Sequence, residues 1–184
     1  MGIEPLAFMS KMVNRVEFSE EDKALLKSEA DWGVIVAPDM AKVFYAYLER
    51  DEEMNKILNR DKESIVRLHK TFIEWFQEMF TGMDSWGQNY AERRWKIGLI
   101  HFRLGIEPQH VVPAMATVVN EVGKRLQTDG KNQALRESLE RICMIDLAFI
   151  EQAYLELPMA AIIRETGWTE DLFRRLVATG VRSI

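Results

Sequence analysis

The chain has 184 residues, of which 47% are hydrophobic and 29% charged, which is typical of a globular protein with one buried core. Its net charge of −5 argues against a nucleic acid partner, and no apolar run approaches the roughly 20 residues of a membrane span. The single Cys143 cannot form an internal disulfide, and the first residues lack the basic start of a secretory signal. We therefore expect a cytoplasmic protein.

Glycine and proline are scarce, with 10 and 5 residues, and they fall where helices would begin or end, which predicts an all-α chain. An amphipathic lead over residues 5–16 precedes Ser19, whose hydroxyl and following acids predict a helix start. Pro38 suits the first turn of another helix. The predicted helices of this half cover Ser19 to Trp32, Pro38 to about Arg50, Glu52 to Leu58, and a long segment capped by Asp61 that runs to Gly82.

The second half is predicted to begin with a loop over residues 83–87, followed by a helix that ends at Gly105. A helix from Pro108 to about Thr128 is broken by Asp129-Gly130, and Pro158 ends the next helix, which covers 134–157. That last helix is apolar on more than one side, which predicts cover by its own core and by a partner chain. The tail, 159–184, has an amphipathic pattern of its own.

One of the three histidines lies on an apolar helical face. Ile97, His101 and Leu104 stand at i, i+4 and i+7, so the imidazole would point toward whatever the two aliphatic side chains pack against. Such a histidine is usually a core residue that hydrogen-bonds a carbonyl, but histidine is also the usual proximal haem ligand of globins. The periodicity alone leaves both interpretations open.

The residues around His101 are more specific. Tyr90 and Arg93, followed by Ile97-Gly98-x-x-His101-x-x-x-Gly105-Ile106-x-Pro108, resemble the F-helix and FG-corner motif of the globin-coupled sensor and protoglobin family. The resemblance extends to Phe44-Tyr45, which is similar to the aromatic pair of helix B, and to Leu68 and Phe72 on helix E. It covers roughly residues 19–157.

The resemblance implies a globin fold, a 3-over-3 helical sandwich with a pre-A helix and no clear D helix. It places the sensor globin domain over residues 1–157, with residues 1–17 as the pre-A lead. Residues 158–184 are then a short C-terminal helical extension.

The resemblance also implies a haem pocket that holds haem b (iron protoporphyrin IX). His101 is the implied proximal ligand of the iron, and the Tyr45 hydroxyl is the implied distal hydrogen-bond donor to bound dioxygen. The remaining implied cofactor contacts are apolar: Leu68 and Phe72 on the distal wall, Phe44 beside the macrocycle, and Ile97 and Leu104 next to His101.

Several other residues have two interpretations. His69 is a rival distal residue, although Leu68 is preferred in the pocket and His69 is expected to be partly solvated. His110 is expected at the surface or in an interface. The charged run of Arg93, Arg94 and Lys96 could reach haem propionates, but such a run is usually the solvated face of a helix. Cys143 is expected to be a small buried hydrophobe, because no Cys-x-x-Cys-His motif is present.

The resulting functional expectation is a haem-bound gas or redox sensor that reversibly binds dioxygen, carbon monoxide or nitric oxide. The resemblance implies a homodimer through the 108–128 and 134–157 helices. Residues 159–184 are too few for a catalytic output domain, so no catalytic residue is assigned, and the signal would pass to a separate protein or the chain is a fragment. Two alternatives stay open: a haem enzyme, such as a nitric oxide dioxygenase or peroxidase supplied with electrons from outside, and a non-haem globin-like signalling module.

Overall fold

The computed structural model describes residues 3–59 and 62–182. Over these ranges the chain forms α-helices and no strand, which confirms the all-α prediction. The helices are α1 Pro5–Val16, α2 Glu20–Ser28, α3 Ala30–Leu48, α4 Glu52–Leu58, α5 Lys62–Thr81, α6 Gln88–Leu104, α7 Pro108–Thr128, α8 Gln133–Thr166 and α9 Glu170–Val181, with a 3-10 turn at Gly82–Ser85 between α5 and α6.

Helix α2 starts where the sequence predicts. The Asp22 amide donates to the Ser19 hydroxyl at 3.1 Å, and the Ser19 amide donates to the Asp22 carboxylate at 2.7 Å, which is a complete capping box. The predicted end at Trp32 is wrong, because α2 ends at Ser28. Glu29 then has φ −104° and ψ 20°, which is not an α-helical conformation and separates α2 from α3.

Pro38 lies inside α3 and does not begin it, which corrects the prediction. A proline in a helix removes the amide that would bond the carbonyl four residues earlier. Here that carbonyl belongs to Val34, and it accepts a hydrogen bond from the Gln77 side chain of α5 at 3.4 Å. A neighbouring helix thus supplies a donor in place of the missing amide, and α3 continues to Leu48.

Pro158 does not end its helix either, since α8 continues to Thr166. The helix therefore crosses the predicted boundary between residues 157 and 158. The predicted glycine stops are confirmed, because Gly105 and Gly130 have φ of 70° and 67°, a left-handed conformation that glycine adopts without strain. The predicted cap at Asp61 falls outside the described residues.

Gly98 brings α6 close to α8. A Cβ atom at this position would lie 2.7 Å from the Phe149 carbonyl oxygen and 3.1 Å from the Cβ of Ala153. The absence of a side chain therefore allows the two backbones to approach, and α6 packs on α8 more extensively than on any other helix. This contact fixes the helix that carries His101.

Helices α5 and α6 meet at one end and pack mainly on other helices elsewhere. The 3-10 turn joins them, and Glu78 of α5 forms ion pairs with Arg93 and Arg94 of α6. Beyond this junction α5 packs on α3 and α2, whereas α6 packs on α8 and α1. In the described ranges, no helix combines the length and the apolar run that a membrane crossing requires.

Candidate cofactor-binding site

An aromatic cluster joins α3 to α5. The rings of Phe44 and Phe72 stack with centroids 4.6 Å apart, and the Tyr45 ring meets Phe72 edge-on at 6.2 Å. Tyr45 is only 6% exposed, and Phe72 is buried as well. The structure therefore brings together three of the residues that the sequence assigns to the haem pocket.

The hydroxyl of Tyr45 is the unusual group in this cluster. Burial raises the pKa of Tyr45 above its ordinary value, so the phenol stays protonated and can donate a hydrogen bond. Buried phenols usually have a hydrogen-bond partner. No described residue supplies one to Tyr45. The described part of the protein therefore leaves this donor unused.

Leu68 and His69 both lie near this cluster on α5. Leu68 is half-buried against the core, as the sequence suggests for a residue of the distal wall. His69 is also half-buried, and its ring stacks on the Tyr45 ring with centroids 4.1 Å apart and planes inclined by 21°. The histidine that was expected to be partly solvated is therefore in direct contact with the distal tyrosine.

His101 is half-buried on α6, and its ring is oriented by its own helix. Its Nδ1 lies 3.0 Å from the Ile97 carbonyl oxygen. Because a carbonyl only accepts, Nδ1 carries the proton and the neutral ring keeps its lone pair on Nε2. Burial lowers the pKa of His101 below its ordinary value, although the bond to Ile97 opposes this, so the neutral form dominates at pH 7.

His101 on α6 and Phe72 of the aromatic cluster on α5 lie at similar distances along their helices from the Glu78–Arg94 ion pair. His101 is seven residues beyond Arg94 and Phe72 is six residues before Glu78, which at 1.5 Å per residue corresponds to about 10 Å in each case. Ile97 and Leu104, the other residues predicted on the proximal side, are half-buried. Among the described residues, no hydrogen bond or ring contact joins His101 to the aromatic cluster.

A buried polar network at the junction was missed by the sequence analysis. Arg94 is 1% exposed, with Nη1 2.5 Å from Glu78 and Nη2 donating to the Tyr90 hydroxyl at 2.8 Å. Its Nε lies 2.8 Å from Asp146 of α8, which also accepts from the Trp75 indole at 2.8 Å. Arg94 thus ties α5, α6 and α8 together and is neither on a solvated face nor free to reach a propionate.

A signal for this network was present in the sequence. Tyr90, Arg94 and Gly98 follow one another at intervals of four, so they share a helical face, and His101 extends it. Burial alone would lower the pKa of Arg94, but Asp146, Tyr90 and Glu78 raise it above its ordinary value, and the guanidinium stays charged. An arginine on a face with a tyrosine and a glycine is therefore a candidate for a buried ion pair.

The remaining candidates lie away from these two groups. Cys143 is buried 3.8 Å from the Met79 sulfur, as predicted for a small hydrophobe. His110 is half-buried at the start of α7, with Nε2 3.0 Å from the Glu53 carboxylate. Lys96 is exposed.

The helical fold, with His101 on α6 and the aromatic cluster on α3 and α5, is that of an all-α protein of the globin class. The sequence matches the Protoglobin family model over residues 7–157, and the chain belongs to the protoglobin family. Its fold is similar to the solved globin domain of Geobacter sulfurreducens globin-coupled sensor, with 28% sequence identity and a TM-score of 0.73, over 80% of this chain and 98% of that one. A search of curated proteins gave no match. Membership of a globin family implies a haem cofactor.

Proposed function

We propose that the chain binds haem b between α5 and α6 and reversibly binds dioxygen, carbon monoxide or nitric oxide as a gas or redox sensor. The observation that carries this proposal is the pairing state of two polar groups. Among the described residues, His101 uses Nδ1 within its own helix and has no partner at Nε2, and the hydroxyl of Tyr45, a residue that is 6% exposed, has no partner either. Both groups fit a haem, which takes an imidazole nitrogen on one face and a gas ligand on the other.

On the proximal side, His101 is prepared to bind a metal. A metal-binding histidine commonly donates its other ring N–H to a carbonyl, which fixes the tautomer and the ring orientation. The bond from Nδ1 to Ile97 has this geometry. The low pKa of His101 also limits competition by protons. Ile97 and Leu104 supply apolar surface beside the ring.

On the distal side, the chain supplies one donor among apolar rings. A bound ferrous haem would supply the iron that takes up a gas, and Tyr45 would donate a hydrogen bond to that gas. Phe72 and Leu68 would limit the access of water, and Phe44 supports Phe72 through their stacked rings. One donor among apolar side chains would favour dioxygen, which carries partial negative charge when bound.

Signalling requires a helix pair with two packings of similar free energy that the liganded and unliganded states distinguish. Helix α6 packs closely on α8 at Gly98, so a displacement of His101 reaches α8 directly. Exposed apolar side chains on α7 and α8, namely Val112, Met144 and Leu155, support a homodimer through 108–128 and 134–157. We propose the sensor globin domain over 1–157 and output through the 158–184 extension, to a separate cytoplasmic signalling protein.

A haem titration tests the proposal. We expect a Soret band that saturates at one haem per chain, and a changed ligation state or loss of haem in His101→Ala. His110→Ala is the matched control, because it removes another half-buried histidine and should leave the spectrum unchanged. Absence of a Soret band, or the same ligation state in His101→Ala, would contradict haem binding and favour the non-haem module.

A further inference from the structure

We propose that His69 is a positioning residue that fixes the ring plane of Tyr45 and thereby the direction in which the Tyr45 hydroxyl can donate. The inference rests on the proposed function for its consequence, but its geometric basis is independent of haem. The two rings are 4.1 Å apart between centroids, the shortest ring contact among the described residues, and their planes differ by 21°. This is a face contact, and it lies across two helices.

The plane of a phenol ring matters for its hydroxyl. Rotation about the bond from Cβ to the ring leaves the oxygen in place, because the oxygen lies on the rotation axis. The O–H bond, however, prefers the plane of the ring, so turning the ring turns the proton and its direction of donation. A hydrogen bond weakens steeply when its angle departs from linear. A group that holds the ring plane therefore controls the strength of the bond that Tyr45 makes.

The other neighbours of Tyr45 do not hold its plane in the same way. Phe72 meets the ring at 70° and Phe44 meets it at 85°, so both contacts are edge-to-face and involve more distant centroids of 6.2 and 5.3 Å. His69 is the only described ring stacked on Tyr45. Its position suits a half-buried residue, because an imidazole can cover a phenol with its apolar face while a nitrogen stays near solvent.

This role differs from that of a second distal donor. A histidine that bonded the gas ligand itself would act through a ring nitrogen, whereas a positioning histidine acts through the shape of its ring. Substitutions separate the two properties. His69→Phe keeps a planar ring without a nitrogen, His69→Gln keeps a polar nitrogen without a ring, and His69→Ala removes both.

The first arm of the experiment needs no haem. The chain has only three histidines, so the ring protons of His69 can be assigned in the NMR spectrum by comparison with His69→Phe. In the protein to which no haem has been added, we expect Tyr45→Leu to shift the His69 ring protons, because the ring current of the stacked phenol is lost. The His110 protons serve as the internal control. Unshifted His69 protons would overturn the proposed contact.

The second arm measures dioxygen dissociation from the haem-loaded protein by stopped flow. We expect His69→Phe to stay within about twofold of the unmodified protein, and His69→Ala and His69→Gln to release dioxygen about tenfold faster, the change expected when one hydrogen bond is weakened. Acceleration in His69→Phe, or none in His69→Gln, would overturn the positioning role. Failure of the proposed function is distinct, because it appears as a missing Soret band while the NMR arm still reports on the stack.

Discussion

Polar side chains near the start of α6 are paired with other helices, whereas polar side chains near its end have atoms without a described partner. Near its start, Tyr90 and Arg94 are fully buried, and the guanidinium lies against partners from α5, α6 and α8. About two turns later, one ring nitrogen of His101 has no partner among the described residues, and neither has the hydroxyl of Tyr45 on α3. The comparison shows that the polar groups near the start of α6 join three helices, whereas those near its end have atoms that no described residue pairs.

The difference follows from the charge of each group. A buried guanidinium cannot lose its proton, so it must be paired to offset its desolvation. An imidazole can become neutral by losing its proton, and the partial burial of His101 lowers its pKa and favours the neutral form. An unpaired Nε2 on a neutral histidine whose Nδ1 is bonded costs much less free energy than an unpaired, charged guanidinium at Arg94 would cost. Of the two groups, the histidine is therefore the one that we propose as a cofactor ligand.

The largest effect on the free energy of unfolding is expected in the buried network of Arg94, Glu78 and Asp146. Asp146→Ala removes the acceptor of Trp75 and Tyr90 and leaves Glu78 as the one described ion-pair partner of Arg94, so we expect the free energy of unfolding to fall by about 3 kcal/mol, as for other broken buried ion pairs. Urea unfolding followed by circular dichroism measures this. At temperatures where the variant is folded, haem should still bind.

Glu74→Ala is the control for this change, since its carboxylate is exposed and 3.7 Å from Lys70. We expect it to alter the free energy of unfolding by less than about 0.5 kcal/mol. Equal losses in Glu74→Ala and Asp146→Ala would contradict the structural role of the network, as would loss of haem without loss of stability in Asp146→Ala.

A smaller effect is expected between the two ends, at Gly98. In Gly98→Ala the new Cβ would lie 2.7 Å from the Phe149 carbonyl oxygen, so α6 must move away from α8. We expect a loss of about 1–3 kcal/mol in urea unfolding, partly offset by the better helix propensity of alanine. Gly180→Ala on α9 is the matched control, because its Cβ would meet nothing within 4 Å. An unaffected Gly98→Ala protein would show that α6 and α8 are less closely packed than described.

The smallest expected effect is the pH dependence of stability that His101 contributes. The unfolded chain takes up a proton on this histidine near pH 6.5, but the folded chain does so only at lower pH, because burial lowers the pKa. The unfolded state thus binds more protons in this window, and the stability of the folded state falls as the pH drops below about 6.5. Comparison of urea unfolding at neutral and mildly acidic pH should show a steeper loss in the unmodified protein than in His101→Leu. Parallel curves would mean that His101 titrates normally.

The sequence predicted most helix starts and the glycine stops, because these depend on local chemistry. Ser19 with Asp22 forms its capping box, and Gly105 takes the left-handed conformation that its position required. The predictions at Pro38 and Pro158 were wrong for a shared reason. A proline removes one hydrogen bond, and packing along the rest of a long helix can outweigh that loss. At Pro38 the loss is also offset locally, because the Gln77 side chain donates to the Val34 carbonyl.

The sequence identified candidate residues for the site but not the contacts that these residues make. The family resemblance assigned Tyr45, Phe44 and Phe72 to one pocket, and in the structure their rings meet between α3 and α5. Spacing within one helix does not show which residues of another helix it meets. The stack of His69 on Tyr45 and the pair of Arg94 with Asp146 both depend on such contacts between distant segments.

The central proposal is that His101, near the C-terminal end of α6, supplies the imidazole ligand of a haem iron. The most direct measurement is the absorption spectrum of His101→Gly with haem, recorded without and with added imidazole. We expect the ligation state of the unmodified protein to be lost in the variant and restored by imidazole, which can occupy the space of the missing side chain. A spectrum that is unchanged by the substitution, or that imidazole does not restore, would contradict the account.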